Sequence, residues 1–264
     1  MPERTSHPHG TPSWVDVLAP DVPAARAFYE GLFGWEGADQ GPQAGGYVMW
    51  SLGGRAVAAL SPMSAEMSEA GVRPAWTTYV TVDDADAAAQ AAADAGGTVV
   101  MAPFDVFDAG RMAMLRDPTG GHIAVWQPNT HIGAGVVNEP GALCWNELTV
   151  RDVDAALPFY QRVFGWTVTS QDTPQGMPRY WELAAGGVPV AGCIEMDDRW
   201  PAEVPTHWMP YFAVADCDAA AARVTGLGGT VPVPPTDIPP GRFAVCVDPN
   251  GAAFSVITLR EGLA

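Results

Sequence analysis

The chain repeats itself. Trp14-Val15-Asp16 returns as Trp145-Asn146-Glu147, Ala27-Phe28-Tyr29 as Pro158-Phe159-Tyr160, and Phe33-Gly34-Trp35 as Phe164-Gly165-Trp166, each 131 residues later. The register then drifts by one or two residues. Gly53-Gly54 matches Gly186-Gly187, Tyr79 matches Tyr211, Asp84-Ala85-Asp86 matches Asp216-Cys217-Asp218, and Gly96-Gly97-Thr98-Val99 matches Gly228-Gly229-Thr230-Val231. The offset returns to 131 for Gly110-Arg111 with Gly241-Arg242, and for Asp117-Pro118-x-Gly120 with Asp248-Pro249-x-Gly251. Ordered matches of this density mark a duplication, so one fold must satisfy both halves. The expected division is a first domain over 1–128, a Gly- and Asn-rich linker over 129–142, and a second domain over 143–264.

Each half reads alike. A short alternating strand (13–18, or 143–150) meets an acid suited to cap a helix, Asp21 or Asp152. The helix carries an apolar face of Val22, Ala25, Tyr29, Leu32 and Phe33, or Val153, Ala156, Tyr160, Val163 and Phe164. Gly34 and Gly165 stand where a helix end favours a left-handed residue. Two strands follow, about 47–52 and 56–61, or 180–183 and 188–194. A second strand starts near Trp76 or Trp208, and its helix runs over about 84–95 or 216–227 to a Gly-Gly pair. A last hairpin turns at Asp-Pro-x-Gly. The pattern predicts an α+β fold with mostly antiparallel sheet.

Composition narrows the function classes. Of 264 residues, 30 are acidic and 13 basic, a formal charge of −17, which repels nucleic-acid backbones and anionic membrane surfaces. No stretch approaches the ~18 apolar residues of a membrane helix, and no apolar run follows the first ten residues as in a signal peptide. Cys144, Cys193, Cys217 and Cys246 form no CxxC motif, so buried thiols in a reducing cytoplasm are expected.

The elements D-x-x-x-A-x-x-F-Y-x-x-x-F-G-W, V-x-D-x-D and G-R-x-x-x-x-x-D-P-x-G, present twice, resemble the vicinal oxygen chelate superfamily. That group includes glyoxalase I, bleomycin-resistance proteins and extradiol dioxygenases, and the likeness is greatest to its two-domain, glyoxalase-like actinobacterial members. The resemblance implies paired βαβββ modules in each half, forming a U-shaped sheet around a cup. It also implies a divalent metal in that cup, held at three positions. By motif spacing these fall on Trp14, Thr77 and Ala124 in the first half, and on Trp145, Met209 and Ser255 in the second. None is a His or a carboxylate, and a catalytic divalent site needs about three N or O ligands. The expected cofactor is therefore none, the alternative being a divalent metal at an irregular site built from His122, Glu195 or His207.

Period-two alternation places Asp16 beside Trp14, and Glu147 beside Trp145, on the cup face. Each acid is a candidate general base or acceptor for a substrate hydroxyl. The competing reading is a structural carboxylate tied to a nearby Arg or a backbone amide; Arg111 and Arg242, which also recur, are its natural partners and are themselves candidate ligand contacts. Alternation sends His207 to the cup as well. Trp14, Tyr79 and Trp126 form one candidate aromatic wall, and Trp145 and Tyr211 the other, suited to a planar or apolar organic ligand. Phe33, Trp35, Phe164 and Trp166 read as core, Trp76 and Trp208 as core between sheet and helix at least as readily as cup lining, His7, His9 and His131 as solvated, and Cys144 as buried on the helix side. The favoured function is a cytoplasmic, metal-free cup that binds or modifies an aromatic metabolite, as a monomer or homodimer. Two alternatives stand beside it: a metal-dependent lyase or oxygenase, and a non-catalytic interaction protein.

Overall fold

The computed structural model describes residues 4–174 and 176–260. The first half runs β1 (Pro12–Ala19), α1 (Val22–Phe33), β2 (Glu36–Asp39), β3 (Val48–Leu52), β4 (Arg55–Pro62), the short α2 (Ala65–Glu69), β5 (Ala75–Thr81), α3 (Ala85–Asp94), β6 (Thr98–Val106), β7 (Gly110–Arg116) and β8 (His122–Pro128). The second runs β9 (Leu143–Val150), α4 (Val153–Phe164), β10 (Thr167–Gln171), β11 (Tyr180–Ala185), β12 (Val188–Glu195), β13 (His207–Ala213), α5 (Cys217–Gly226), β14 (Thr230–Ile238), β15 (Gly241–Val247) and β16 (Ala253–Leu259). The helices begin as the sequence predicts. Asp21, Asp84, Asp152 and Asp216 each accept a hydrogen bond from the backbone amide three residues on. Gly34 and Gly165 end α1 and α4 at φ of 72° and 67°.

Each half forms one eight-stranded sheet, ordered β2-β3-β4-β1-β5-β8-β7-β6 and β10-β11-β12-β9-β13-β16-β15-β14. Neighbours are antiparallel except β1 with β4, β5 with β8, β12 with β9 and β13 with β16. This is the expected pair of βαβββ modules. The sheet bends around an open face, with the helices on the opposite face.

Alternation divides every central strand between these two faces. Val15, Val17 and Ala19 of β1 enter a helix-side core, while Trp14 lies in a separate cluster with Tyr79, Ala124 and Trp126. The helix-side cores are not private to each half. One joins α1 and β1 with α5, β15 and β16: Phe28 and Tyr29 pack with Phe212, Cys246, Phe254 and Val256. The other joins α4 and β9 with α3, β7 and β8: Phe159 and Tyr160 pack with Ala88, Leu115, Ile123 and Val125. The sheets thus meet back to back, and at the centre Thr78 Oγ1 donates to Asn146 Oδ1 at 2.8 Å. The cups, in contrast, form within each half and open away from these cores.

Two matched relays tie the halves together. Trp76 Nε1 donates to the Tyr29 hydroxyl, which donates to Asp248 Oδ2 at 3.0 Å. Trp208 Nε1 donates to the Tyr160 hydroxyl, which donates to Asp117 Oδ2 at 2.6 Å. The Tyr of each Phe-Tyr motif therefore grips the Asp-Pro-x-Gly turn of the other half. Burial raises the Tyr160 pKa well above the phenol range, so the hydroxyl stays a donor. Tyr160→Phe leaves a buried carboxylate oxygen and an indole N–H unpaired, and should destabilise by about 2–3 kcal/mol in urea unfolding.

Candidate functional site

In the first cup, Asp16 projects from the centre of the sheet and is only 5% exposed. Its Oδ2 accepts from the Tyr79 hydroxyl at 2.8 Å and the Tyr47 hydroxyl at 3.1 Å. Tyr47 in turn accepts from Trp14 Nε1 at 3.2 Å. The second cup repeats the arrangement. Tyr211 donates to Glu147 Oε1 at 2.8 Å, Trp145 Nε1 donates to the Tyr180 hydroxyl at 3.0 Å, and that hydroxyl is Glu147's second phenol partner. The register explains the match, since Trp14 pairs with Tyr79 on β5 and Trp145 with Tyr211 on β13. Sequence reasoning selected Asp16, Glu147, Trp14, Trp145, Tyr79 and Tyr211, and the structure gathers each set around its acid. It passed over Tyr47 and Tyr180 as site residues, although both stand just before the Gly-Gly hairpins at the same offset of 133.

Burial dominates the electrostatics. Loss of water pushes Asp16 up to about 6 and Glu147 up to about 7, against the opposing pull of the phenol hydrogen bonds. The phenols rise too: burial and the adjacent carboxylate hold Tyr47, Tyr79 and Tyr211 well above the usual range. Each cup thus presents one carboxyl that exchanges a proton near neutrality, fixed by hydroxyls that remain donors.

The salt-bridge expectation is overturned. Arg111 and Arg242 lie on the helix-side face of β7 and β15, one residue out of phase with the cup-lining Met112 and Phe243. Arg111 pairs with Asp86 and Asp105, and Arg242 with Asp218 and Asp237. Neither is the partner of Asp16 or Glu147. Cys144 is also corrected. A bulge opposite the Tyr211–Phe212 step turns it toward the second cup cluster, where burial raises the thiol to about 12. Of the three histidines read as solvated, His9 is exposed, beside Asp83, while His7 bonds the Ala134 carbonyl and His131 packs on Trp14 and Trp126. Trp126 lines the first cup and donates Nε1 to the His131 carbonyl. His207 lies on the cup-facing side of β13 opposite Thr149, its Nδ1 2.8 Å from the Pro205 carbonyl.

The strands that flank the two acids are not equivalent. Asp16 faces Ala59 on β4, whereas Glu147 faces Gly192 on β12. A Cβ at position 192 would collide with the Tyr180 hydroxyl and crowd Trp145 Nε1. Gly192 is what lets Tyr180 cross the strand to the longer acid. Gly192→Ala should displace that phenol, raise the Glu147 carboxyl titration above wild type, and lower stability by about 1–3 kcal/mol, read by infrared titration and thermal melting.

The Glyoxalase/Bleomycin resistance protein/Dioxygenase superfamily model matches residues 11–125 and again 142–256. The chain belongs to that superfamily. It is 48% identical over 261 residues to "Putative glyoxylase CFP32" of Mycobacterium tuberculosis, covering 97% of this chain and 98% of that one. It is 40% identical over 264 residues to "Anthracycline biosynthesis protein DnrV" of Streptomyces peucetius, covering 96% and 94%. Among solved structures, the Mn(II)-bound glyoxalase of Novosphingobium aromaticivorans matches with a TM-score of 0.64 at 15% identity, covering 95% of this chain and 83% of that chain. That likeness shows the fold. The superfamily's metal does not fit the residues present here. Trp14 and Ala124 pack in the first cup, Trp145 and Met209 in the second, and Thr77 faces Asp16 across β5. Indole, thioether and methyl groups offer a divalent ion no suitable donor, and the Thr77 and Ser255 hydroxyls supply one neutral oxygen to each half where about three ligands are needed. Among the described residues no three His, Cys, Asp or Glu side chains stand together as a metal group. His122 sits in the first half opposite Arg116, His207 in the second, and Glu195 pairs with Arg179, so these three do not assemble.

Proposed function

We propose that this chain binds a small aromatic molecule in its cups and that Glu147 acts on it as a general acid–base, without a metal. The observation that carries this reading is the buried carboxyl poised at about 7 between Tyr211 and Tyr180. A base of that strength removes a proton from an activated C–H or a phenol at neutral pH, then returns it elsewhere. Tyr211 and Tyr180 orient the carboxylate and supply hydroxyls near a substrate oxygen. Trp145, Phe243 and Ile257 offer apolar area for a planar ring system, and His207 stands on the same face as a ligand contact. Support for the ligand class comes from the relative named for anthracycline biosynthesis, since anthracyclines are planar polycyclic aromatics. Asp16, with Trp14, Tyr79 and Trp126, forms the equivalent set in the first cup. The four free thiols suit a reducing cytoplasm.

The experiment needs no substrate. Infrared difference spectra across pH 5–9 should show a protonated carboxyl band that disappears around pH 7 and is missing in Glu147→Gln. A Glu147 band that is gone by pH 5 would sink the acid–base role.

A further inference from the structure

The two cups share a plan but not a lining. In the first, Met49, Met112 and Met114 pack beside Trp14 and Trp126, and Met101 and Phe104 extend the same wall from the neighbouring strand. At the corresponding places the second cup carries Glu182, Phe243, Val245, Val233 and Thr236. Thioether chains adapt their shape and polarise against ring edges, whereas branched and charged side chains do not. The first cup is also strapped. The linker leaves β8, bonds the turn of the β6–β7 hairpin through Asn129 N and His131 N to the Ala109 carbonyl, and then crosses to the sheet centre. There Ala134 N meets the Ser13 carbonyl and Gly135 N the Ala56 carbonyl, between strands that have separated.

Midway along the strap stands His131. Its ring lies edge-on to Trp14 at 4.7 Å and against Trp126 at 5.8 Å. Its Nε2 is buried with no hydrogen-bond partner. A buried polar atom without a partner costs stability, and a ligand hydroxyl would complete it. Here the ring that carries the atom packs on two indoles, and those indoles cluster with the methionines and the Tyr79 partner of Asp16 in the same cup.

We propose that the first cup is a separate binding site for a hydroxylated polycyclic arene, gripped by Trp14, Trp126 and the methionine wall, with His131 as its polar, specificity-determining contact. This inference rests on the reading that the cups take aromatic ligands, but not on the acid–base role of Glu147 in the second cup. Burial lowers the His131 pKa, so a neutral imidazole meets the ligand hydroxyl.

The test uses 1,8-dihydroxyanthraquinone and unsubstituted anthraquinone as probes on the full chain, with the methionine methyls labelled with carbon-13. The hydroxylated probe should shift the methyl signals of Met49, Met112 and Met114, and Met209 reports separately on binding in the second cup. His131→Ala should weaken it about tenfold, the loss of one hydrogen bond, and erase the preference over anthraquinone. His131→Gln, which keeps a donor and an acceptor, should recover most of that preference even if the alanine variant loosens the strap. Shifts confined to Met209, no methyl shifts with either probe, or equal affinities in wild type and both variants would each overturn the proposal.

Discussion

A chain of residues 1–137, produced without the rest, will not fold as a monomer. Its α1 face would lose Phe212, Phe254 and Val256, and its α3 face would lose Phe159 and Tyr160. Truncating one buried Phe typically removes about 3–5 kcal/mol, while a whole domain is stable by only about 5–15 kcal/mol. Losing a handful of such partners exceeds the entire margin. The Tyr29–Asp248 and Tyr160–Asp117 bonds would vanish too, leaving Asp117 buried without its phenol. Size-exclusion chromatography with light scattering, beside circular dichroism, decides the matter. Each half alone should be unfolded or paired with a second copy of itself, and mixing 1–137 with 138–264 should restore one cooperative melt. A folded, monomeric half would refute the shared-core account.

The second large effect is on stability as a function of pH. The folded-state pKa values of Asp16 and Glu147 are raised, to about 6 from 3.8 and to about 7 from 4.5. Below the unfolded values both states hold the proton and nothing is lost. As pH rises through the folded values, the folded chain must ionise a buried carboxyl that the unfolded chain ionised already, so stability falls. At 1.36 kcal/mol per unit, each acid destabilises the protein at pH 8 by roughly 3 kcal/mol relative to pH 4. Asp16→Asn and Glu147→Gln keep an amide oxygen for the phenols and remove the ionisation. Each variant should gain roughly 3 kcal/mol on wild type between pH 4 and pH 8 in chemical unfolding. Parallel wild-type and variant curves would mean that neither acid is held neutral by its cup. Buried acids that weaken a fold at working pH mark sites where function outweighs stability.

The architecture was legible because the duplication doubled every signal. Caps at Asp21 and Asp152, helix ends at Gly34 and Gly165, and alternation along β1 and β9 all carry local chemistry, and local chemistry survives into the fold. The cup positions of Trp14, Asp16, Trp145 and Glu147 followed from that alternation. What escaped was non-local. Nothing in the spacing of Arg111 reveals that Asp86, one helix away, outcompetes Asp16, because one strand residue of phase decides the face. Cys144 was misplaced by a bulge, which breaks the alternation that the prediction relied on. Tyr47 and Tyr180 reach their acids across neighbouring strands, and the pairing of those strands is a tertiary fact. His131 looked solvated because a Gly- and Asn-rich segment carries no period, yet that segment docks along its backbone.

The back-to-back arrangement has a bearing on how such a protein can change. In a symmetric dimer of identical chains, any substitution in one cup appears in both, and a gain in one ligand is imposed on the other. Here the cores that hold the molecule together lie between the sheets, while Met49 and Glu182, or Ala59 and Gly192, occupy matching places in cups facing away from them. Each cup can accumulate its own side chains while the seam between the sheets stays fixed. A single chain of this design can therefore carry two different ligand preferences at once, something a pair of identical subunits cannot encode.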